Sequence, residues 1–112
     1  MNESTLVELH LLVPDASEHR LTDWLLMHPE WQQEFSVHGV AAHGPLVRLA
    51  GSEERVQGRA SRREIKLIVQ RARLSLLMGE LRALTRGMDG GWWVLPIEQI
   101  GSFEPVVPGE HA

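Results

Sequence analysis

The 112-residue chain contains no cysteine. No disulfide can staple it, no thiolate can hold a metal, and no cysteine can serve as a nucleophile. Long apolar runs are also missing. Nothing approaches the roughly 20 residues that a membrane-spanning helix needs, so a membrane-embedded chain is not expected. No basic stretch precedes the apolar-rich segment 6–13, because the chain opens Met1-Asn2-Glu3-Ser4. A signal peptide is therefore not expected, and the cytoplasm is the default location. Positive charge is in the minority, with 11 basic residues against 15 acidic ones and a formal net charge of −4. That balance argues against nucleic-acid binding. No serine sits in a nucleophile-elbow context, and Asp15, Asp23 and Asp89 form no constellation with histidine, so no enzyme activity is expected. What the chain does have is apolar content, 43% of its residues. That suffices for one folded domain. A domain of this size buries roughly 65% of its unfolded surface, so association with further copies would reinforce it.

Residues 5–13 alternate as a strand. Val7, Leu9, Leu11 and Val13 share one fully apolar face, while Leu6, Glu8, His10 and Leu12 share a mixed one. Pro14 ends it. Asp15 reads as an N-cap, with Glu18 three residues on, as in a capping box. Leu21, Trp24, Leu25 and His28 then follow helical spacing, Leu26 and Met27 widen the stripe, and Pro29 stops it. Phe35, Val37 and Gly39 alternate with Ser36, His38 and Val40, predicting a second strand that Gly44-Pro45 closes. Residues 46–61 lose the pattern and read as an extended, partly mobile loop of the kind used for binding or assembly. A short helix over 52–56 is the alternative. Alternation returns over 63–70, where Ile65, Leu67 and Val69 share a face. A second helix spans 71–85 with Leu74, Leu77, Met78, Leu81 and Leu84 as its stripe and Gly87 as terminator. After Asp89-Gly90-Gly91, Trp93, Leu95 and Ile97 alternate with Trp92, Val94 and Pro96 in a last strand. Trp93 is expected in the core and Trp92 outside it.

The order βαββαβ predicts an α+β, ferredoxin-like sandwich with both helices on one face of a four-stranded antiparallel sheet. A single domain over 1–103 is expected, with a tail over 104–112. The uncovered face would carry Leu6, Leu12, Ile68 and Val94 among polar residues, which predicts self-association.

The segments Leu11-Leu12-Val13-Pro14, Asp23-Trp24-Leu25-Leu26 with His28, Phe35-Ser36-Val37, His43-Gly44 and Val56-Gln57-Gly58-Arg59 with Arg62 resemble a branch of the PII-like proteins. Val94-Leu95-Pro96-Ile97-Glu98 resembles the closing strand of PII signalling proteins. The resemblance covers roughly residues 5–103 and implies a homotrimer built around packed sheets, with a long signalling loop at 45–61. It also implies adenine-nucleotide binding in intersubunit clefts, reported to a transporter or enzyme. This branch is often encoded beside heavy-metal efflux systems. The sequence departs from the PII pattern in three places. The turn Asp89-Gly90-Gly91-Trp92 has no lysine, Gly101-Ser102-Phe103-Glu104 stands where arginines are expected, and the chain has no tyrosine. Asp89 and Glu104 would repel a phosphate.

Three sets of site residues follow. A small anion or adenine nucleotide would meet Arg59, Arg62, Gly90 and Gly91, with Trp92 as a stacking surface. A protein partner, such as a membrane transporter, would meet Leu46, Arg48, Leu49, Arg55 and Arg59 of the loop. The plainer reading of the arginines is pairing with Glu53, Glu54 and Glu64. His10, His38 and His43 are the candidate metal ligands. Zinc needs three or four convergent ligands, and ordinary strand and loop histidines are the bland alternative.

Overall fold

The computed structural model describes residues 5–31, 34–46 and 60–104. Strand β1 (Leu6–Pro14) is followed by helix α1 (Glu18–Met27) and strands β2 (Glu34–Ala42) and β3 (Ala60–Gln70). Helix α2 (Leu74–Leu84) and strand β4 (Gly91–Pro96) complete the fold. The strands form one antiparallel sheet in the order β2-β3-β1-β4. Strands β1 and β3 therefore sit at the centre, and β2 and β4 are the edges. This is the expected ferredoxin-like arrangement, with both helices on one face.

The alternation in β1 and β3 sets which face the helices cover. Val7, Leu9, Leu11, Val13, Ile65, Leu67 and Val69 pack with Leu21 and Leu25 of α1 and Leu77 and Leu81 of α2 into one buried cluster. Each helix contributes two leucines four residues apart, the spacing of one helical face. Two arginines tie the helices to distant backbone. Arg20 Nη2 donates to the Leu84 carbonyl at 2.6 Å, and Arg73 Nη1 to the Glu30 carbonyl at 2.6 Å. Arg73 also lies 4.5 Å over the Trp31 ring, a cation–π placement.

Several expectations are corrected. Asp15 does not cap α1. It opens a 3-10 turn, Asp15–Ser17, that leads into the helix without a side-chain cap, and its carboxylate accepts from Ser61 Oγ at 2.8 Å. A partner across the sheet outcompetes the local cap. Leu26 and Met27 do not widen the buried stripe, since they are 66% and 78% exposed. The buried stripe of α1 is Leu21, Thr22 and Leu25. Thr22 is tolerated there because its hydroxyl donates to the Glu18 carbonyl at 3.1 Å. Strand β3 starts at Ala60, so Ser61 belongs to the sheet and not to the loop. Polar residues 61–64 hid that start. The short helix at 52–56 lies outside the described residues.

The largest correction is the phase of β4. Trp93 pairs with His10 and stacks on it, with ring centroids 5.1 Å apart. It therefore lies on the uncovered face, not in the core. Val94 pairs with Leu9 and packs against the core cluster, although it was expected on the uncovered face. Trp92, opposite Leu11, is on the helix side. Both halves of this strand are apolar, so hydrophobicity could not choose between them; a one-residue slip reverses every side chain.

Candidate functional site

Two regions carry chemistry. The first is the sheet face opposite the helices. Register places Glu8, His10 and Leu12 of β1 beside Ile68, Lys66 and Glu64 of β3, and His38 of β2 beside Glu64. His10 is buried and its ring lies between two carboxylates, with Nε2 2.7 Å from Glu8 Oε1 and Nδ1 3.4 Å from Glu64 Oε1. In the neutral tautomer protonated at Nε2 the ring donates to Glu8; a second proton would let it donate to Glu64 as well. His38 Nε2 lies 3.4 Å and Lys66 Nζ 3.9 Å from the same Glu64 oxygen. Glu64 is thus approached by Lys66 and by both rings, while Glu8 meets His10. Around them lie Leu6, Leu12, Ile68, Trp93 and Leu95.

The second region is the end of the sheet where β4 begins. Gly90 has φ +136°, a conformation open to glycine. A Cβ there would collide with the Leu12 carbonyl oxygen, so the chain can enter β4 against β1 only through glycine. Gly91 is covered by Leu46, whose two Cδ atoms would be 2.9 Å from a Cβ at that position. Buried Arg62 donates from Nη2 to Asp89 Oδ2 at 2.8 Å and from Nη1 to the Ser61 carbonyl at 2.8 Å. Below this end, between β1, β4 and α2, a cavity of about 200 Å³ is lined by Leu11, Val13, Met78, Leu81, Met88 and Trp92. Arg82 and Thr85 also line it.

The structure brings Arg62, Gly90, Gly91 and Trp92 to this one end, while Arg59 lies outside the described residues. Arg62 is occupied by Asp89, which changes what it can offer an anion. Of the loop set, Arg48, Leu49 and Arg55 lie outside the described residues, and Leu46 is half-exposed against Gly91. Of the histidines, His10 and His38 meet at Glu64, whereas His43 follows the end of β2 and is exposed. Among the described residues no three His, Cys, Asp or Glu side chains form a group that could hold a metal ion. Sequence reasoning missed Glu8, Glu64, Lys66 and Trp93 as partners of His10. Alternation already put Glu8 on its face, but Glu64 and Trp93 required the strand register. It also missed the Arg62–Asp89 pair and the cavity residues Met88 and Arg82.

Residues 3–104 match the profile of DUF3240, described as a protein family of unknown function. A DUF3240 family protein from Shewanella baltica OS155, solved at 2.40 Å resolution, is 18% identical. It superposes with a TM-score of 0.73, covering 90% of this chain and 99% of that one. Arabidopsis thaliana PII bound to citrate is 14% identical and superposes with a TM-score of 0.66, covering 89% of this chain and 84% of that one. No curated protein matches the sequence significantly. At these identities the structural likenesses establish the fold, which is PII-like. The association with heavy-metal efflux systems finds no support in these matches. Among the described residues no helix is long and apolar enough to cross a membrane.

Proposed function

The chain belongs to the DUF3240 family, and on that premise we propose that it is a non-enzymatic, PII-like regulatory adaptor. It assembles as a homotrimer in the cytoplasm through the uncovered sheet faces and acts on a protein partner, a membrane transporter being the class we favour. The observation that supports the assembly is the cluster around His10, where Glu64 is approached by Lys66, His10 and His38 and Glu8 by His10. A second copy covering Glu8, Glu64, Lys66, His10 and His38 would bury polar groups that already face one another, which lowers the cost of burying them. Leu6 and Leu12 are already buried, and half-buried Ile68 and Trp93 with exposed Leu95 are the apolar residues that gain from losing water. The partner would dock on the segment 45–61, through Leu46, Leu49, Arg48, Arg55 and Arg59. Replacing Leu49 and Arg59 together with alanine is expected to leave the helical signal and the subunit mass unchanged while abolishing partner capture. Retained capture would remove the loop from the account.

A second reading is favoured by one observation: Gly90, Gly91 and Trp92 stand at the start of β4, where Arg62 reaches the adjoining Asp89 from the face opposite Trp92. A sensor of a small anion, or of an adenine nucleotide, would bind there between subunits. The Arg62–Asp89 pair opposes it, because the guanidinium is already neutralised. Calorimetry against ATP, ADP, AMP, cyclic nucleotides and citrate separates the two readings. The adaptor predicts no heat at millimolar ligand, whereas saturable heat abolished by Trp92→Ala selects the sensor.

A further inference from the structure

The tail that follows β4 holds an aromatic side chain clear of the other described residues. Phe103 is fully exposed, and Ile100 on the same segment is half-exposed. The segment around Phe103 is nonetheless shaped. Ser102 Oγ donates to the Glu104 carbonyl at 3.1 Å and accepts from the Glu104 amide at 3.3 Å, a side-chain turn that holds Phe103 at its apex. A large ring held out into water on an ordered turn is an anchor in search of a pocket.

The molecule also contains a pocket of suitable size and chemistry. The cavity beneath β4 measures about 200 Å³ and is walled by Leu11, Val13, Met78, Leu81, Met88 and Trp92. An apolar cavity of about 150 Å³ accepts a benzene ring. The cavity lies at the Gly91–Trp92 end of β4, whereas the tail leaves from Pro96, which pairs with Val7 at the other end of β1. Five residues of strand, roughly 16 Å, separate the two within one subunit, and the chain runs away from the cavity.

We infer that Phe103 of one copy inserts into the cavity beneath β4 of a second copy. Charge supports this seating: Glu104 follows the anchor directly, Arg82 lies at the receiving cavity without an ion pair among the described residues, and Asp89, which also lines the cavity, is held by Arg62. Seating the ring would bring the carboxylate toward that guanidinium. Each subunit then donates one aromatic ring and receives one, a head-to-tail contact that a closed ring of subunits satisfies everywhere. The cleft would be filled by the protein itself.

This inference rests on the assembly proposed above, so its test separates the two. The absence of cysteine makes the test clean. Phe103→Cys and Met88→Cys are combined in one chain and mildly oxidised, and the product is resolved by denaturing, non-reducing electrophoresis. Covalent dimers and higher species, absent from either single variant, are expected. A monomer, with or without an internal bridge, overturns the inference, as does a dimer formed equally by Phe103→Cys alone. Should Met88→Cys unfold the domain, Arg82→Cys with Glu104→Cys probes the same seating at the rim, with the same expected and contrary outcomes. Sedimentation of the unmodified chain is run in parallel. If it is assembled but the cysteines do not link copies, only the tail contact falls; if it is monomeric, the assembly falls with it.

Discussion

The two faces of the sheet use the same strands to opposite ends. On the helix side every inward position of β1 and of β3 from Ile65 onward is aliphatic, and Val7, Leu9, Ile65 and Leu67 lose all exposure. On the other side the same strands alternate Leu6, Glu8, His10 and Leu12 against Ile68, Lys66 and Glu64. The first face is sealed by the helices except at the cavity beneath β4. The second buries Leu6 and Leu12 but leaves Ile68 and Trp93 half-buried and Leu95 exposed beside its polar groups, a surface that further copies could cover. The difference shows how one alternating pattern can specify a core on one face and a mixed surface on the other, according to what lies between the leucines.

The comparison is most forcefully broken in the core. Leu67→Ala should cost about 2–5 kcal/mol, read as a lower denaturation midpoint with an unchanged slope. A cost under about 1 kcal/mol would mean that the helices do not seal that face. Asp89→Ala comes next. It removes a carboxylate from buried Arg62 and should cost about 3 kcal/mol, and Asp89→Asn should recover part of the loss by keeping an acceptor. Gly90→Ala follows at about 1–3 kcal/mol, because the new methyl meets the Leu12 carbonyl and φ is positive. Gly87→Ala is the control: its φ is +74° but no atom lies within 4 Å of a Cβ there, so it should cost less. Ile68→Glu sharpens the contrast. It sets a third carboxylate between Glu8 and Glu34, should lower the stability of the single domain by about 1 kcal/mol, and should dissociate the assembly in sedimentation. The smallest effect is expected for Met27→Ser, within about 0.5 kcal/mol, since that side chain is 78% exposed.

The fold was largely legible in the sequence because β1, β3 and the two helices carry one-sided patterns. Val7, Leu9, Leu11 and Val13 read as a core face from period alone. Where both faces are apolar the pattern gives no answer: Trp92 with Val94 and Trp93 with Leu95 are equally good inward pairs, and only the pairing of Gly91 with Leu12 decides. The candidate site was half legible. Gly90, Gly91 and Trp92 stand together in the chain, and Arg62 was singled out, but its partner Asp89 is 27 residues away. The pairing of His10 with Glu64 spans 54 residues and depends on register, which no local signal encodes. Asp15 was misread because local capping rules take no account of Ser61 across the sheet.

The central claim is that the uncovered face is closed by further copies of the same chain. Sedimentation equilibrium of the unmodified protein at micromolar concentration tests it most directly. A single species at three times the 12.6 kDa chain mass is the predicted result, and a species that stays at 12.6 kDa across the concentration range would contradict the account.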